Sequence, residues 1–511
     1  MPATGHAPPH FTHQQILRVL SGILLCIFLA AIDQTVVIPA VPAIAADLNG
    51  FGHLAWIVSA YLLTSTAMTP IYGKLSDIFG RRKLLLLGLA IFAVASTLCA
   101  LSATLGQLVL ARALQGVGGA GLMAMAQAAI ADVVSPRERG RYQGYMASTW
   151  GIASIAGPIV GGWVTDTLSW RWIFWANLPI ALIAMLLCDH ALRLLPVRSG
   201  RARIDWAGAG LLTAAVSAWL LVLSWGGVEM PWTAPPILAL GAVGLVLLVL
   251  LAMQERRFAE PILPPRLFAN PVFTRGVAIA FCCSLALFGG SFLLPLFFQL
   301  VMGVDAASSG ALVVPFLASN CVGSMVSGVL ARRHGKTKAI IVAGLAACLV
   351  GFVLLALMGA TTSHFVMICF QSVLGFGIGM VMPASLVCVQ NAADRHDIGA
   401  ATGCLLFLRS MGGAFGSTLV GALLAKEFAT RLAALGITAH IDLGAVRPGA
   451  AAIPGVPSAM LPHLPVALSG AFHIAFLACA VAMVPAVLVA LGMRDLPLRT
   501  TSANEPVALA H

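Results

Sequence analysis

Three residues in this chain have the types and spacing that proton transfer inside an apolar medium requires. Asp33, in the run CIFLAAIDQTVVIPAVPAIAADL, is the single charge between Arg18 and Asp47. A helix rising about 1.5 Å per residue carries it about 22 Å from Arg18, well inside a hydrocarbon layer about 30 Å thick. An ionised carboxylate at that depth costs ~3 kcal/mol on insertion scales, and crossing a membrane does not require it. The residue is therefore expected to take up and release a proton; the alternative is a polar contact that only fixes packing. Arg112, in LVLARALQGVGGAG, lies about 12 Å into the fourth apolar run, with Gln115 following at i+3 on the same face. If Arg112 faces Asp33, desolvation and the guanidinium pull the acid's proton affinity in opposite directions and can hold it in a titratable range. The competing reading is that Arg112 snorkels to the headgroups. Arg409 is the comparable cation of the second half, read as either a cavity residue or a structural partner.

Composition shows what must position these residues. Of 511 residues, 60% are hydrophobic and only 9% charged, against about 25% charged in soluble proteins. That balance excludes an ordinary soluble domain and points to many membrane spans. A net charge of +11 would suggest nucleic acid in a soluble chain. Here the cations sit in short loops between apolar runs, so they set orientation and no nucleic-acid partner is expected. The eleven cysteines fall within apolar runs and form no CxxC pair, so neither a disulfide frame nor a metal site is expected. The first apolar run is too long for a signal-peptide core and is expected to remain in the mature protein.

Apolar segments of spanning length fall near 16–45, 53–72, 83–103, 105–133, 142–165, 172–190, 206–226, 234–253, 272–300, 308–330, 338–359, 364–390, 398–425 and 469–493. With the N-terminus inside, 23 of the 29 Lys and Arg residues lie in inner loops and tails. The positive-inside rule then predicts fourteen transmembrane helices with both termini cytoplasmic. The chain also repeats. An offset of 259 sets Gly140 on Gly399, Gly144 on Gly403 and Gly157 on Gly416; an offset of 255 sets Gly73 on Gly328 and Gly80 on Gly335. The expected fold is all-α and membrane-integral: two pseudo-symmetric six-helix bundles plus an inserted two-helix hairpin. The first bundle takes 1–190, the linker and hairpin 191–255, and the second bundle 256–493, with a long outer loop at 427–468 and a cytoplasmic tail at 494–511. Two such bundles enclose a cavity and rock about it, the alternating-access design.

Two further stretches carry more than hydrophobicity. The loop GKLSDIFGRRK between the second and third runs holds Gly73, Asp77, Gly80, Arg81, Arg82 and Lys83. Its glycines permit a tight reversal, Asp77 can cap a helix or pair with an arginine, and the cations anchor the inner face. A plain positive-inside loop needs only the cations, so this spacing predicts a latch. The fifth run, WGIASIAGPIVGGW, contains Gly151, Gly157, Pro158, Gly161 and Gly162. Ala153, Gly157 and Gly161 form one small-residue strip, and Ser154, Pro158 and Gly162 a second, both expected to make close helix contacts. Gly116, Gly118 and Gly121 match the dinucleotide fingerprint but lie inside a span with no strand before them. No Walker A or HExxH run occurs, so no cofactor, metal or enzymatic activity is expected.

Together these motifs resemble the major facilitator superfamily, and within it the fourteen-helix drug:proton antiporter branch. GKLSDIFGRRK resembles the superfamily's loop signature, LARALQG its span-four motif, GPIVGG with Trp150 and Gly151 its antiporter motif, and IDQTVVIPAVP the branch's span-one motif. SWRWIFWANLP and FLRSMGGAFG fit as well. The sequence departs from the pattern at Ile38 and Pro39 in span one, at Ile78 after the loop aspartate, and at Arg332, which occupies the place of Asp77 in the second half. The resemblance implies exchange: Asp33, with Arg112, couples inward proton flow to export of hydrophobic or cationic organic compounds. It implies that Asp77 latches against a helix terminus of the second bundle. Helical position suggests a cavity lined by Gln34, Trp56, Gln115, Met123, Trp150, Phe298 and Arg409. The partners implied are protons, small organic substrates and the bilayer of a cell membrane, with any periplasmic adaptor left open. An exporter of one metabolite or siderophore on the same fold, or a non-transporting membrane sensor, are the alternatives.

Overall fold

The computed structural model describes residues 13–48, 55–194, 205–226, 230–258, 261–304, 306–359, 361–434 and 464–499. The described residues form helices and short turns with no strand. In chain order the first six helices are α1 (His13–Asp47), α2 (Ala55–Phe79), α3 (Arg81–Leu101), α4 (Leu105–Val133), α5 (Pro136–Thr167) and α6 (Arg171–Ala191). A pair follows, α7 (Trp206–Trp225) and α8 (Pro235–Arg257), then the single turn α9 (Pro265–Ala269). The last six are α10 (Pro271–Leu300), α11 (Ala306–His334), α12 (Lys338–Ala356), α13 (His364–Ala392), α14 (Ile398–Ala434) and α15 (Leu464–Leu491).

The helix starts follow from local chemistry. Thr104 caps α4 by accepting from the Gln107 amide at 3.3 Å, and Asp205 caps α7 through Gly208 at 2.8 Å. Asn270 caps α10, with Pro271 at the first helical position where no donor is needed. Between α2 and α3 the reversal takes one residue, Gly80, at φ 87°; its equivalent Gly335, between α11 and α12, has φ 65°. Only glycine adopts such angles without strain, so the repeat read from the sequence extends to the backbone.

Twelve of the helices are long and apolar enough to cross a membrane. The two long helices outside that set are α2 and α5, whose Ser, Thr, Tyr, Gly and Pro residues dilute their hydropathy. Both pack closely on other helices. α2 packs on α4, α7 and α14, and α5 on α1 and α11. Small and hydroxylated residues suit close helix contact there, where lipid-facing helices need bulk apolar side chains.

The largest apolar core draws on residues from Val272 to Leu498, and the next on residues from Val19 to Leu192. A smaller cluster crosses between them, joining Ala67 and Ile71 of α2, Leu212 and Val216 of α7, Leu251 of α8, and Phe407 and Met411 of α14. The inserted pair therefore lies over the α2–α14 seam. The end of the pair near Trp225 is tied to both sides, by Trp56 edge-on to Trp225 at 6.0 Å and by Thr418 donating to the Leu223 carbonyl at 3.4 Å.

Several expected boundaries move. α14 continues to Ala434 and α15 begins at Leu464, so the proposed outer loop 427–468 is helical at both ends; Phe428 and Leu432 extend α14 because they join the large core. Residues 435–463, the linker 195–204 and the tail beyond 499 lie outside the described residues. α8 runs two residues past 255, to Arg257.

Candidate functional site

Asp33, on α1, is 0% exposed and receives donors from two other helices. Arg112 of α4 places Nη1 2.7 Å from its Oδ2, and Gln115 of α4 donates to its Oδ1 at 2.9 Å. Asn177 of α6 donates to the same Oδ1 at 2.8 Å. Ser96 of α3 completes the cluster, accepting from Gln115 at 3.3 Å and Asn177 at 3.1 Å and donating to the Phe174 carbonyl at 2.9 Å. Four helices thus converge on one carboxylate.

Arg112 is 1% exposed, so it does not reach for headgroups. Its guanidinium also donates from Nη1 to Gln115 Oε1 at 2.7 Å and from Nε to the Ile57 carbonyl of α2 at 3.2 Å. It lies 4.6 Å from the centre of the Tyr61 ring. This fork joins the acid on α1 to α2, the helix whose other end carries the loop motif. A buried charge pair held this fully resists solvent, and breaking one partner is costly.

At the far end of α2, Asp77 accepts from the backbone amides of Gly399 at 3.1 Å and Ala400 at 2.8 Å, the first turn of α14. A carboxylate at a helix N-terminus satisfies amides that have no intrahelical partner. The helix-terminus latch implied by the resemblance thus corresponds to a contact present in this conformation. Arg81 pairs with Asp77 at 2.7 Å and with Asp132 of α4 at 2.9 Å, and also touches Ser76 Oγ. At 5% exposed, Arg81 is a buried strut beside Asp77, set after the Gly80 turn. Arg82 pairs with Asp189 of α6 at 2.6 Å.

The same end of the molecule holds several close approaches between the two halves. A Cβ on Gly73 would lie 2.5 Å from the Gly399 carbonyl oxygen and 3.0 Å from Gly403 Cα. Gly140 of α5 abuts Gly328 of α11, and Gly144 abuts Met325. Arg137 donates to the Arg332 carbonyl at 2.8 Å, and Arg139, buried, donates to the Ala131 carbonyl at 2.6 Å and Gln390 Oε1 at 3.1 Å. The ends of α2, α5, α11 and α14 that meet the basic loops are therefore drawn together.

The fifth-run motif divides. Gly157 and Gly161 press on Thr35 and Val36 of α1, and Thr35 donates to the Ala153 carbonyl at 3.0 Å. This strip seats α5 on the helix that carries Asp33. The second strip makes no such contact here: Pro158 is exposed and a Cβ on Gly162 would meet nothing within 4 Å. The reason is angular, since the two strips point to different sides of α5 and α1 occupies one. Gly151 faces a third neighbour, Cys321 of α11, at 3.3 Å.

The suggested cavity residues are dispersed. Gln34, Trp56, Met123 and Trp150 are half-buried. Gln34 donates to its own helix at the Ala30 carbonyl, 3.2 Å away, and Trp56 leans on α7. Phe298 is a correction: it is 0% exposed, packed within the large core of the second half, so it presents no surface to a cavity. Arg409 binds the Met382 carbonyl and donates to Ser385 Oγ of α13 at 3.1 Å. Asp394, His396 and Asp397 lie close enough to suggest metal ligation, but Arg266 takes both oxygens of Asp397, at 2.8 and 2.9 Å.

Asn177, Ser96, Asp132 and Arg139 were not singled out from the sequence. Asp132 could have been found by asking what neutralises Arg81. Asn177 stands among aromatic residues two places before Pro179, where a polar residue reads as a helix-bend partner.

Comparison with known proteins places this arrangement among transporters. The sequence profile of the Major Facilitator Superfamily matches residues 23–417. Multidrug transporter protein MdtP of Bacillus subtilis (strain 168) is 37% identical over 406 residues, 80% of this chain and 75% of that protein. Efflux pump dotC of Dothistroma septosporum is 36% identical over 397 residues, 77% of this chain and 68% of that protein. Among solved structures, the human organic anion transporter MFSD10 aligns with TM-score 0.62 at 15% identity, covering 92% of this chain and 99% of that one. The proton:xylose symporter XylE bound to 6-bromo-6-deoxy-D-glucose aligns with TM-score 0.60 at 12% identity, covering 97% and 99%.

Proposed function

The chain belongs to the Major Facilitator Superfamily of membrane transporters, and we propose that it works as a proton-driven exporter of hydrophobic organic compounds, drugs among them. The observation that carries this reading is the Asp33 cluster: a carboxylate of 0% exposure, in the middle of an apolar helix, held by Arg112, Gln115 and Asn177. Asp33 takes a proton arriving from outside and gives it up inside, while cargo crosses the other way. About 2.3 kcal/mol per charge per 100 mV of membrane potential, plus about 1.4 per pH unit, supports a gradient of neutral cargo of more than a hundredfold. Relatives named as a multidrug transporter and as efflux pumps support the direction and the cargo class.

The chain crosses the cell membrane fourteen times with both termini in the cytoplasm, as two six-helix bundles joined through the α7–α8 hairpin. In that orientation the contacts of Asp77, Gly73 and Gly140 shut the cytoplasmic end, and the described conformation faces outward. Reopening that end and closing the other carries the proton inward, and the opposite change carries cargo out, which is alternating access.

The test is exchange in proteoliposomes with an imposed pH gradient and a chemically varied panel of dyes and drugs. Wild type is expected to move cargo against its gradient when the cargo side is alkaline, and Asp33→Asn to lose that while remaining folded. Gradient-driven transport at wild-type rates by Asp33→Asn would overturn the coupling assignment.

A further inference from the structure

The two oxygens of Asp33 are held differently. Oδ1 receives two amide donors, Gln115 Nε2 at 2.9 Å and Asn177 Nδ2 at 2.8 Å. Oδ2 receives the guanidinium, Arg112 Nη1 at 2.7 Å. Carboxamides do not titrate in any working range, so the Oδ1 donors persist whether Asp33 is charged or neutral. A protonated carboxyl has one carbonyl-type oxygen, which still accepts, and one hydroxyl oxygen, which is a poor neighbour for a cationic donor. With Oδ1 occupied by two N–H groups, the hydroxyl falls to Oδ2.

We propose that Asn177 is a positioning residue for the proton step: it holds Oδ1 of Asp33 so that the proton lands on Oδ2 and displaces Arg112. This rests on the coupling role given to Asp33 above. A lone pair of Oδ2 forms the new O–H bond, and the Arg112 Nη1–H···Oδ2 hydrogen bond breaks; nothing is oxidised or reduced. Arg112 keeps its contacts with Gln115 Oε1, the Ile57 carbonyl and the Tyr61 ring. The freed guanidinium is thereby left to α2, the helix that ends at Gly73 and Asp77.

Asn177 is 2% exposed and is itself oriented. Its amide also donates to Ser96 Oγ at 3.1 Å, and Ser96 donates to the Phe174 carbonyl, one turn earlier on α6, at 2.9 Å. Ser96 thus pins α3 to α6 beside the side chain it orients. Losing the Asn177 donor removes a hydrogen bond made to the charged form of the acid, so the proton is held more tightly. The donor serves both forms but binds the charged one more strongly, a difference worth roughly three- to tenfold in such an equilibrium, or about half to one pH unit.

The experiment is the pH dependence of exchange in proteoliposomes for wild type, Asn177→Ala, Ser96→Ala and Asp33→Asn, each checked for folding by size-exclusion profile and melting. Asn177→Ala is expected to move the midpoint of the exchange profile up by about half to one pH unit, and Ser96→Ala to move it the same way by less. Asn177→Gln, which keeps a carboxamide, is expected to recover part of the shift. Folded Asn177→Ala and Ser96→Ala proteins with the wild-type midpoint would overturn the positioning role. So would a melting loss with no change in profile. If Asp33→Asn itself retains gradient-driven exchange, the coupling assignment fails instead, and the two failures are told apart by that one control.

Discussion

Gly73 rests against the carbonyl of Gly399, and the residues matched to them by the internal repeat, Gly328 and Gly140, rest against each other. One crossing joins α2 to α14 and the other joins α11 to α5, so each contact is the counterpart of the other under exchange of the two halves. Both lie at the end that carries the basic loops. A rocking motion of one half on the other must open them together. Gly73→Leu and Gly140→Leu are each expected to keep that end from closing and to lower transport at least tenfold. Reaction of Cys321, which faces Ala147 across the α5–α11 seam, should rise in both variants. Wild-type reactivity at Cys321, with Cys321→Ser as the blank, would contradict a shared opening.

Asp77 and Asp132 both touch Arg81, yet their removal should have different consequences. Asp77 spans the seam, accepting from Gly399 and Ala400, whereas Asp132 lies on α4 within the first half. Hydrogen bonds to a charged group contribute about 1.5–3 kcal/mol each. Asp77→Asn is therefore expected to shift the conformational balance at least tenfold and depress transport, while Arg81 stays neutralised by Asp132. Asp132→Ala removes the α4 partner of a buried guanidinium that keeps its pairing with Asp77, and is expected to cost stability within the first half, less than the roughly 3–5 kcal/mol of a wholly unpaired buried charge. Melting and Cys321 labelling, measured side by side, separate a shifted cycle from a weakened fold.

How far the sequence foretold this arrangement depends on whether each partner leaves a mark in it. Asp33, Arg112 and Gln115 are polar residues alone in apolar runs, with i+3 spacing, and they meet. Asp77 was legible as a cap, but what it caps is a pair of backbone amides 322 and 323 residues away, and an amide has no signature in the sequence. The burial of Phe298 is not legible in the sequence because α10 is apolar on every side, so helical periodicity does not say which face looks inward. The open second strip of α5 is illegible for a similar reason: small residues announce that close approach is possible, not which neighbour takes it.

Arg112 should not tolerate lysine. Its Nη1 serves Asp33 and Gln115 while its Nε serves the Ile57 carbonyl, a fork that a single ammonium cannot reproduce. Arg112→Lys keeps the charge and so is expected to fold, yet to lose most gradient-driven exchange. Arg112→Ala should lose exchange and, by leaving Asp33 without a cation, also lose stability. Equal rates in Arg112→Lys and wild type would mean that only the charge matters.

The end of the first half away from the basic loops is held by Asp47, which accepts from Arg171 at 2.5 Å and from the Trp170 indole at 3.1 Å. Arg171 also stacks 4.3 Å over the Trp170 ring. Hydrogen bonds from Arg171, then Trp170, hold the Asp47 carboxyl below its ordinary range. A carboxyl lowered on folding stabilises above its unfolded value and loses that contribution as pH falls through the folded one. The Asp47 side chain is 48% exposed, so solvent screens the pair and its worth is under about 1 kcal/mol. Arg171→Ala is therefore expected to lower the melting temperature by roughly 1–3 °C at neutral pH. The difference from wild type should shrink progressively as pH falls below the ordinary carboxylate value of about 3.9 and through the lowered folded one. A gap that persists undiminished in acid would assign the loss to the Arg171–Trp170 stack, because that contact does not titrate with Asp47.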